Sequence, residues 1–386
     1  MTKAHMAMLA AEAKKLEQAG LYRPETIHPA HIVDFTSQDY LGLTNDPRLV
    51  TAAKAALDAH GLGAGSSRVF TGTRELHRDL EHAVARFLQV PDAIVLGSGY
   101  LANIGFYEAL FDSRDCLFCD ALVHPSTAEG IRLSSATAFP FHNNDVEDLE
   151  DKLRRSRSAR FRAIATDGVF PFDGRIAELD GICGLAEKYD AMVVVDDALG
   201  IGALGETGRG ARELRGTIAR VDVVTGTFGK ALGGASGGYV AARQEIVDLL
   251  RQRARPYLFS NTLAPAIVSG TLQAIDLLES SGELRERLKA NAALFRSLMT
   301  DAGFDLLPGE HAIVPVMFGD AALTARIADA LQQRGVYVTA FSFPVVPRGL
   351  ARIRVQLSAA HSEDEIRRCV EAFAAARDEV MAAAAS

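Results

Sequence analysis

The chain has no tryptophan, four cysteines and 13 prolines among its 386 residues. So few cysteines in so long a chain exclude a disulfide framework. Cys116 and Cys119 form a C-x-x-C in "DCLFCD", but Cys183 and Cys369 lack the spacing that would complete a structural zinc site. The pair reads as buried and reduced, and no metal is expected. No apolar run approaches the roughly 20 residues that cross a bilayer. The N-terminal "MTKAHMAMLAAEAKKLEQAG" reads as a charged amphipathic helix without the apolar core of a signal peptide, so a cytoplasmic location is expected. There is no basic arm. A formal net charge of −8 argues against nucleic acid or an anionic membrane as the partner.

What remains is an ordinary soluble composition, 48% hydrophobic and 23% charged, with a telling order of segments. "DAIVLGSG", "FRAIATDG", "AMVVVDD", "VDVVTGTF" and "GGYVAA" are short apolar runs, several of them separated by stretches of helical spacing. Continuous Val and Ile runs mark strands buried on both faces, and helices between them mark a mostly parallel sheet. The predicted class is therefore α/β. Past about residue 280 a long charged helix leads into "HAIVPVMFGD", "VYVTAFSFP" and "ARIRVQLSA", which predict a smaller α+β domain. The expected organisation is an N-terminal helix and arm over 1–45, a large α/β domain over 46–279 and a small C-terminal domain over 280–386.

In open parallel sheets, ligands sit beyond the carboxyl ends of the strands. The polar residues at such ends are Ser98-Gly99-Tyr100, Asp167, Asp196-Asp197 and Thr227 to Lys230. "GSGY" entering a helix offers free amides and a positive dipole end to a phosphate, although glycine turns between strand and helix are also common without one. "GLGAGS" (61–66) resembles a dinucleotide fingerprint but follows a helix, which excludes that reading. Asp196 closes a run of three valines and is expected to be buried, either capping the following loop or facing a protonated ring nitrogen; Asp197 is the alternative cap. Lys230 lies among glycines, where loss of solvation lowers an amine's pKa and makes it a nucleophile. A phosphate seat, a buried aspartate and such a lysine together point to pyridoxal 5′-phosphate, with the lysine forming a Schiff base and the aspartate holding the ring nitrogen. The glycines around Lys230 are expected to let backbone and cofactor approach closely.

Long stretches extend this reading. "DFTSQDYLGLTNDP", "IATDGVF", "TGTFGKALGGASGGY", "RPYLFSNTLAPAIV" and "FPVVPRGLARIRVQLSAAH" resemble the α-oxoamine synthase family of fold-type I pyridoxal phosphate enzymes over nearly the whole chain. The resemblance implies that Lys230 carries the cofactor and later takes the Cα proton, that Asp196 meets the pyridine nitrogen, and that His124 in "ALVHPST" stacks on the ring. It implies phosphate contacts from Gly99, Tyr100 and Thr227, and from Ser260 and Asn261 to the phosphate of a neighbouring subunit, hence a homodimer with sites at the interface. Arg354 would clamp the amino-acid carboxylate; Arg352 shares its strand face, and the residues alone do not choose between them. The implied reaction joins an amino acid to an acyl-CoA thioester, with loss of a carboxyl in some members.

The chain departs from the family at three positions. Leu199 stands where a histidine usually donates to the cofactor's phenolic oxygen, Pro171 where its serine partner stands, and Gln38 where an asparagine helps hold the substrate. Two explanations stay open. The pocket takes a donor other than glycine, or an unusual acyl group, or the same cofactor serves a different step at Cα, as in an aminotransferase or a retro-aldol lyase. An inert partner subunit is a third reading, opposed by the presence of Lys230, Asp196, His124 and Arg354.

Overall fold

A computed structural model describes residues 3–18, 25, 27, 32–156 and 159–385. The expected N-terminal helix is α1 (Lys3–Gln18). Of the arm that follows it, residues 19–24, 26 and 28–31 lie outside the described residues. The chain divides into two compact units, 1–33 and 34–386, and the second holds a seven-stranded sheet, a three-stranded sheet and the cavity described below.

The core of the second unit is a seven-stranded sheet built from β1 (Asp92–Leu96), β2 (Cys116–Asp120), β3 (Thr137–Phe141), β4 (Arg162–Asp167), β5 (Met192–Asp196), β6 (Val223–Thr227) and β7 (Gly238–Ala242). Its order is β1-β7-β6-β5-β4-β2-β3. Strands β3, β2, β4, β5 and β6 run parallel, and β7 is antiparallel to both of its neighbours. The valine runs behave as expected: Val193, Val194, Val195, Val223 and Val224 are buried, and burying such side chains is worth about 1.5–3 kcal/mol each. Cys116 and Cys119, at the two pleats of β2, are free thiols but only half-buried.

Helices α2 (Pro47–His60), α3 (Glu75–Leu88), α4 (Gly99–Leu110), α5 (Pro125–Leu133), α6 (Val146–Arg154), α7 (Leu179–Tyr189), α8 (Gln244–Arg253) and α9 (Pro265–Ser280) flank the sheet. Of these, α4 is the most deeply placed. Its Ala102, Phe106, Tyr107 and Ala109 pack with Ile94, Val223 and Val240 of the sheet. β3 was not anticipated, because "TAFPF" carries Pro140 and is largely exposed; proline is tolerated there because β3 is an edge strand.

After Ser281-Gly282 the chain continues into α10 (Glu283–Asp301) and then a three-stranded antiparallel sheet. Its strands are β8 (Ile313–Gly319), β9 (Thr339–Phe341) and β10 (Ala351–Gln356), in the order β9-β10-β8, with α11 (Ala321–Gln333) and α12 (Glu363–Ala385) packed nearby.

Two of the glycines around Lys230 also have a packing reason. A Cβ on Gly238 would lie 2.3 Å from the Gly99 nitrogen, and one on Gly234, at φ +67°, would lie 2.1 Å from Thr44 Oγ1. They let protein pack on protein where β6 turns back into β7 and α4 begins.

Candidate active site

The parallel strands all point their carboxyl ends to one side of the sheet, and a cavity of about 260 Å³ opens there. Gln38, Ser98, Gly99, Tyr100, His124, Ser126, Asp167, Val169, Pro171, Asp196, Ala198, Leu199, Thr227 and Lys230 line it. Nearly every residue singled out along the sequence is therefore brought to one place.

At the end of β1, Ser98 caps α4 by accepting from the Leu101 amide at 3.1 Å. The amides of Gly99 and Tyr100 have no partner within the helix ladder and lie at its positive end. α4 is held close against β6, since a Cβ on Gly99 would be 2.9 Å from Thr227 Cβ. The Thr227 hydroxyl donates to the Gly237 carbonyl at 2.9 Å and accepts from the Gly229 amide at 3.1 Å, so donating to a phosphate would mean exchanging the first bond.

Asp167 and Asp196 end neighbouring strands and are register partners. Asp167 accepts the His124 amide at 3.0 and 3.2 Å; burial, reinforced by the charge of Asp196, pushes its carboxyl well above the usual range. Asp196 Oδ2 accepts from Asn103 Nδ2 at 2.6 Å and Oδ1 from the Ala198 amide at 3.1 Å. Asp197 is the loop cap. Its Oδ2 accepts the Ala211 amide at 2.8 Å, and burial raises its carboxyl to about 7. Lys230 is half-buried on the cavity wall, and desolvation lowers its amine pKa against the opposing pull of Asp196 and Asp167.

His124 is the N-cap of α5. Its Nδ1 accepts the Ser126 amide at 3.2 Å and lies 2.7 Å from Ser126 Oγ, which places the ring proton on Nε2. Burial lowers its pKa against the opposing pull of Asp196.

Leu199, Pro171 and Gln38, the three departures, all line the cavity. Leu199 is buried on the cavity wall, and its carbonyl accepts from His311 Nε2 at 3.0 Å. His311 accepts the Ile313 amide on Nδ1 at 3.1 Å, meets Tyr40 edge-on at 5.0 Å, and is held down to about 4 by burial. Arg354 Nη1 donates to the Pro171 carbonyl at 2.7 Å, and its guanidinium lies 4.8 Å from the Phe341 ring centroid. Arg352 bonds the Leu350 carbonyl and feels Asp173 instead, so of the two arginines it is Arg354 that contacts a residue of the cavity wall. Ser260 and Asn261 do not line this chain's own cavity; Asn261 bridges to Ser67. Asn103 and His311 had not been singled out from the sequence.

This wall suits pyridoxal 5′-phosphate. Open amides at a helix start fit its phosphate, a buried carboxylate fits its ring nitrogen, and a desolvated lysine fits its aldehyde. Arg354 Nε is buried without a partner among the described residues, as a group awaiting a carboxylate would be.

Known proteins carry the same pattern. The family model for aminotransferase class I and II matches residues 30–373. The 2-amino-3-ketobutyrate coenzyme A ligase of Escherichia coli (strain K12) is 51% identical over 346 residues, covering 89% of this chain and 87% of that protein. An 8-amino-7-oxononanoate synthase of Thermosipho melanesiensis is 40% identical over 377 residues, 95% of this chain and 96% of its own length. The solved serine palmitoyltransferase of S. paucimobilis with PLP and myriocin bound superposes with a TM-score of 0.90 at 31% identity, covering 98% of this chain and 99% of that one.

Proposed function

The chain belongs to the aminotransferase class I and II family, and from that premise we propose that it is a pyridoxal phosphate-dependent acyltransferase of the α-oxoamine synthase type, condensing an amino acid with an acyl-CoA thioester. The observation that carries this reading is the grouping of Lys230, Asp196, His124 and the α4 amides around one cavity, with Arg354 at its edge.

In this reading Gly99 and Tyr100 hold the cofactor phosphate, with Thr227 beside them. Asp196 faces the ring nitrogen, His124 covers one ring face, and Lys230 is the point of covalent attachment. The bound cofactor supplies an electron sink for negative charge developing at the substrate's Cα. Arg354 takes the substrate carboxylate in its planar fork, and Gln38 adds a neutral contact from the cavity wall. Once the substrate's amino group has displaced it from the cofactor, the freed Lys230 amine takes the Cα proton. The Cα then bonds to the thioester carbonyl carbon as the carbon–sulfur bond breaks and CoA leaves as its thiolate; in a decarboxylating reaction the bond from Cα to the carboxylate held by Arg354 then breaks, CO2 leaves, and the electron pair left on Cα takes up a proton. Ser260 and Asn261 serve the phosphate of a partner subunit, so the working unit is a homodimer. Residues 280–386 form a small domain that closes over the site with Arg354.

Leu199 and Pro171 bear on which donor is used. Together they present an apolar edge where the family carries hydrogen-bonding groups, which favours an amino acid larger than glycine or an atypical acyl group. They also sustain a second reading, a transaminase or retro-aldol lyase. Thiol release from a panel of amino acids and acyl-CoAs decides between them. Acyl transfer gives free CoA from at least one pair; no thiol from any pair, together with conversion of the cofactor to its amine form, would establish the second.

A further inference from the structure

One side chain, that of Asn103, ties the two ends of the cofactor site together. It lies on α4 four positions, about one helical turn, after Gly99, whose amide opens the proposed phosphate seat. It is 2% exposed. Its Nδ2 donates to Asp196 Oδ2 at 2.6 Å and to Ser126 Oγ at 2.8 Å. The directions are fixed from the other end. His124 Nδ1 already accepts the Ser126 amide, so the Ser126 hydroxyl must donate to that nitrogen and accept from Asn103. On the other side Asp196 Oδ2 is the acceptor. Both constraints place the amide nitrogen of Asn103, and not its oxygen, between them, while its Oδ1 is buried without a partner among the described residues.

We infer that Asn103 is a positioning residue: it aims the Asp196 carboxylate, and through α4 it sets the separation between the groups that hold the phosphate and the group that meets the ring nitrogen. The helix is stiff and buried, so the two ends of the site move as one body. Ser126 completes the relay and presents His124 with its proton on Nε2. This inference rests on the cofactor assignment above, though not on the acyl transfer.

A double-mutant cycle tests it. Apo-protein is titrated with pyridoxal phosphate for four proteins: unaltered, Asn103→Leu, Asp196→Ala, and both together. Asn103→Leu keeps the volume and removes the donor. It is expected to weaken cofactor retention roughly ten- to hundredfold, the loss of one bond to a charged group, and to shift the pH midpoint of the bound cofactor's visible absorption. In the Asp196→Ala background the same substitution is expected to change neither. Equal loosening in both backgrounds would mean that Asn103 merely packs, and would overturn the inference. Asn103→Ala goes through the same cycle, so the outcome does not depend on how leucine is accommodated. The cycle needs no acyl-CoA. Failure to release thiol therefore leaves it standing, whereas an unaltered protein that does not retain the cofactor removes the cofactor assignment and this inference with it.

Discussion

Arg354 donates through Nη1 to the main-chain carbonyl of Pro171 at 2.7 Å. The contact joins β10 to the loop after β4, and it uses a backbone oxygen that any residue at position 171 would offer. The rest of the guanidinium is stacked on Phe341, and its buried Nε has no partner among the described residues. Arg354→Lys keeps the charge and loses the fork. It is expected to raise the KM for the amino acid about tenfold or more while leaving affinity for pyridoxal phosphate unchanged. Steady-state kinetics beside a cofactor titration check the split.

Leu199 cannot donate a hydrogen bond from its side chain, and its carbonyl is already occupied by His311. Substituting its side chain therefore leaves that anchor in place. Leu199→His is expected to restore a donor at the cavity wall and raise turnover with glycine relative to larger amino acids. CoA release with glycine and with the preferred donor, for both proteins, measures the change. An unaltered preference would show that position 199 does not select the donor.

Desolvation lowers the pKa of the Lys230 amine, which favours its attack on the cofactor's aldehyde. Borohydride reduction of the holo-protein is expected to leave the cofactor covalently on Lys230, found by mass spectrometry of the corresponding peptide. Lys230→Ala is expected to carry no such label and to lose activity by several orders of magnitude.

How much of this could be seen along the chain depended on where the controlling contacts lie. Asp196 and Lys230 follow strand ends, which are legible from apolar runs and their exits, whereas His124 was marked only by the family resemblance. Asn103 sits inside a helix among apolar residues, and its importance depends on which way one helical face turns toward β5, a tertiary fact. His311 reaches Leu199 across 112 positions, which no local pattern reveals. The antiparallel course of β7 was hidden for a related reason: "GGYVAA" has the composition of a parallel core strand, and only its pairing with β1 and β6 sets its direction. Asp197 was legible only as an alternative cap, because adjacent acids exchange roles with a small rotation of the backbone.

Asp197 also predicts a pH dependence. Its folded-state carboxyl lies at about 7, against 3.8 when exposed. A group raised on folding favours the folded state while protonated, so that stability is fully present below about pH 4 and is lost as pH rises through 7. The whole span is worth a few kcal/mol, because each pH unit between the two values contributes on the order of one kcal/mol. Asp197→Asn keeps an oxygen for the Ala211 amide and removes the titration. Its Tm relative to the unaltered protein is expected to improve steadily between about pH 4 and pH 7 and to level off above that. Parallel curves for the two proteins would contradict this.

Subunit sharing can be tested by complementation. Lys230→Ala and Asn261→Ala proteins are each expected to be inactive or nearly so as homodimers. If Asn261 serves the partner's site, a mixed dimer has one site with Lys230 from one subunit and Asn261 from the other, both intact. Random re-association puts half the dimers in that form, each with one of two sites working, so about a quarter of full activity should return. If Asn261 instead serves its own subunit, every site in the mixture lacks one residue, and nothing is recovered. In this chain Asn261 bridges to Ser67 and does not line the cavity wall.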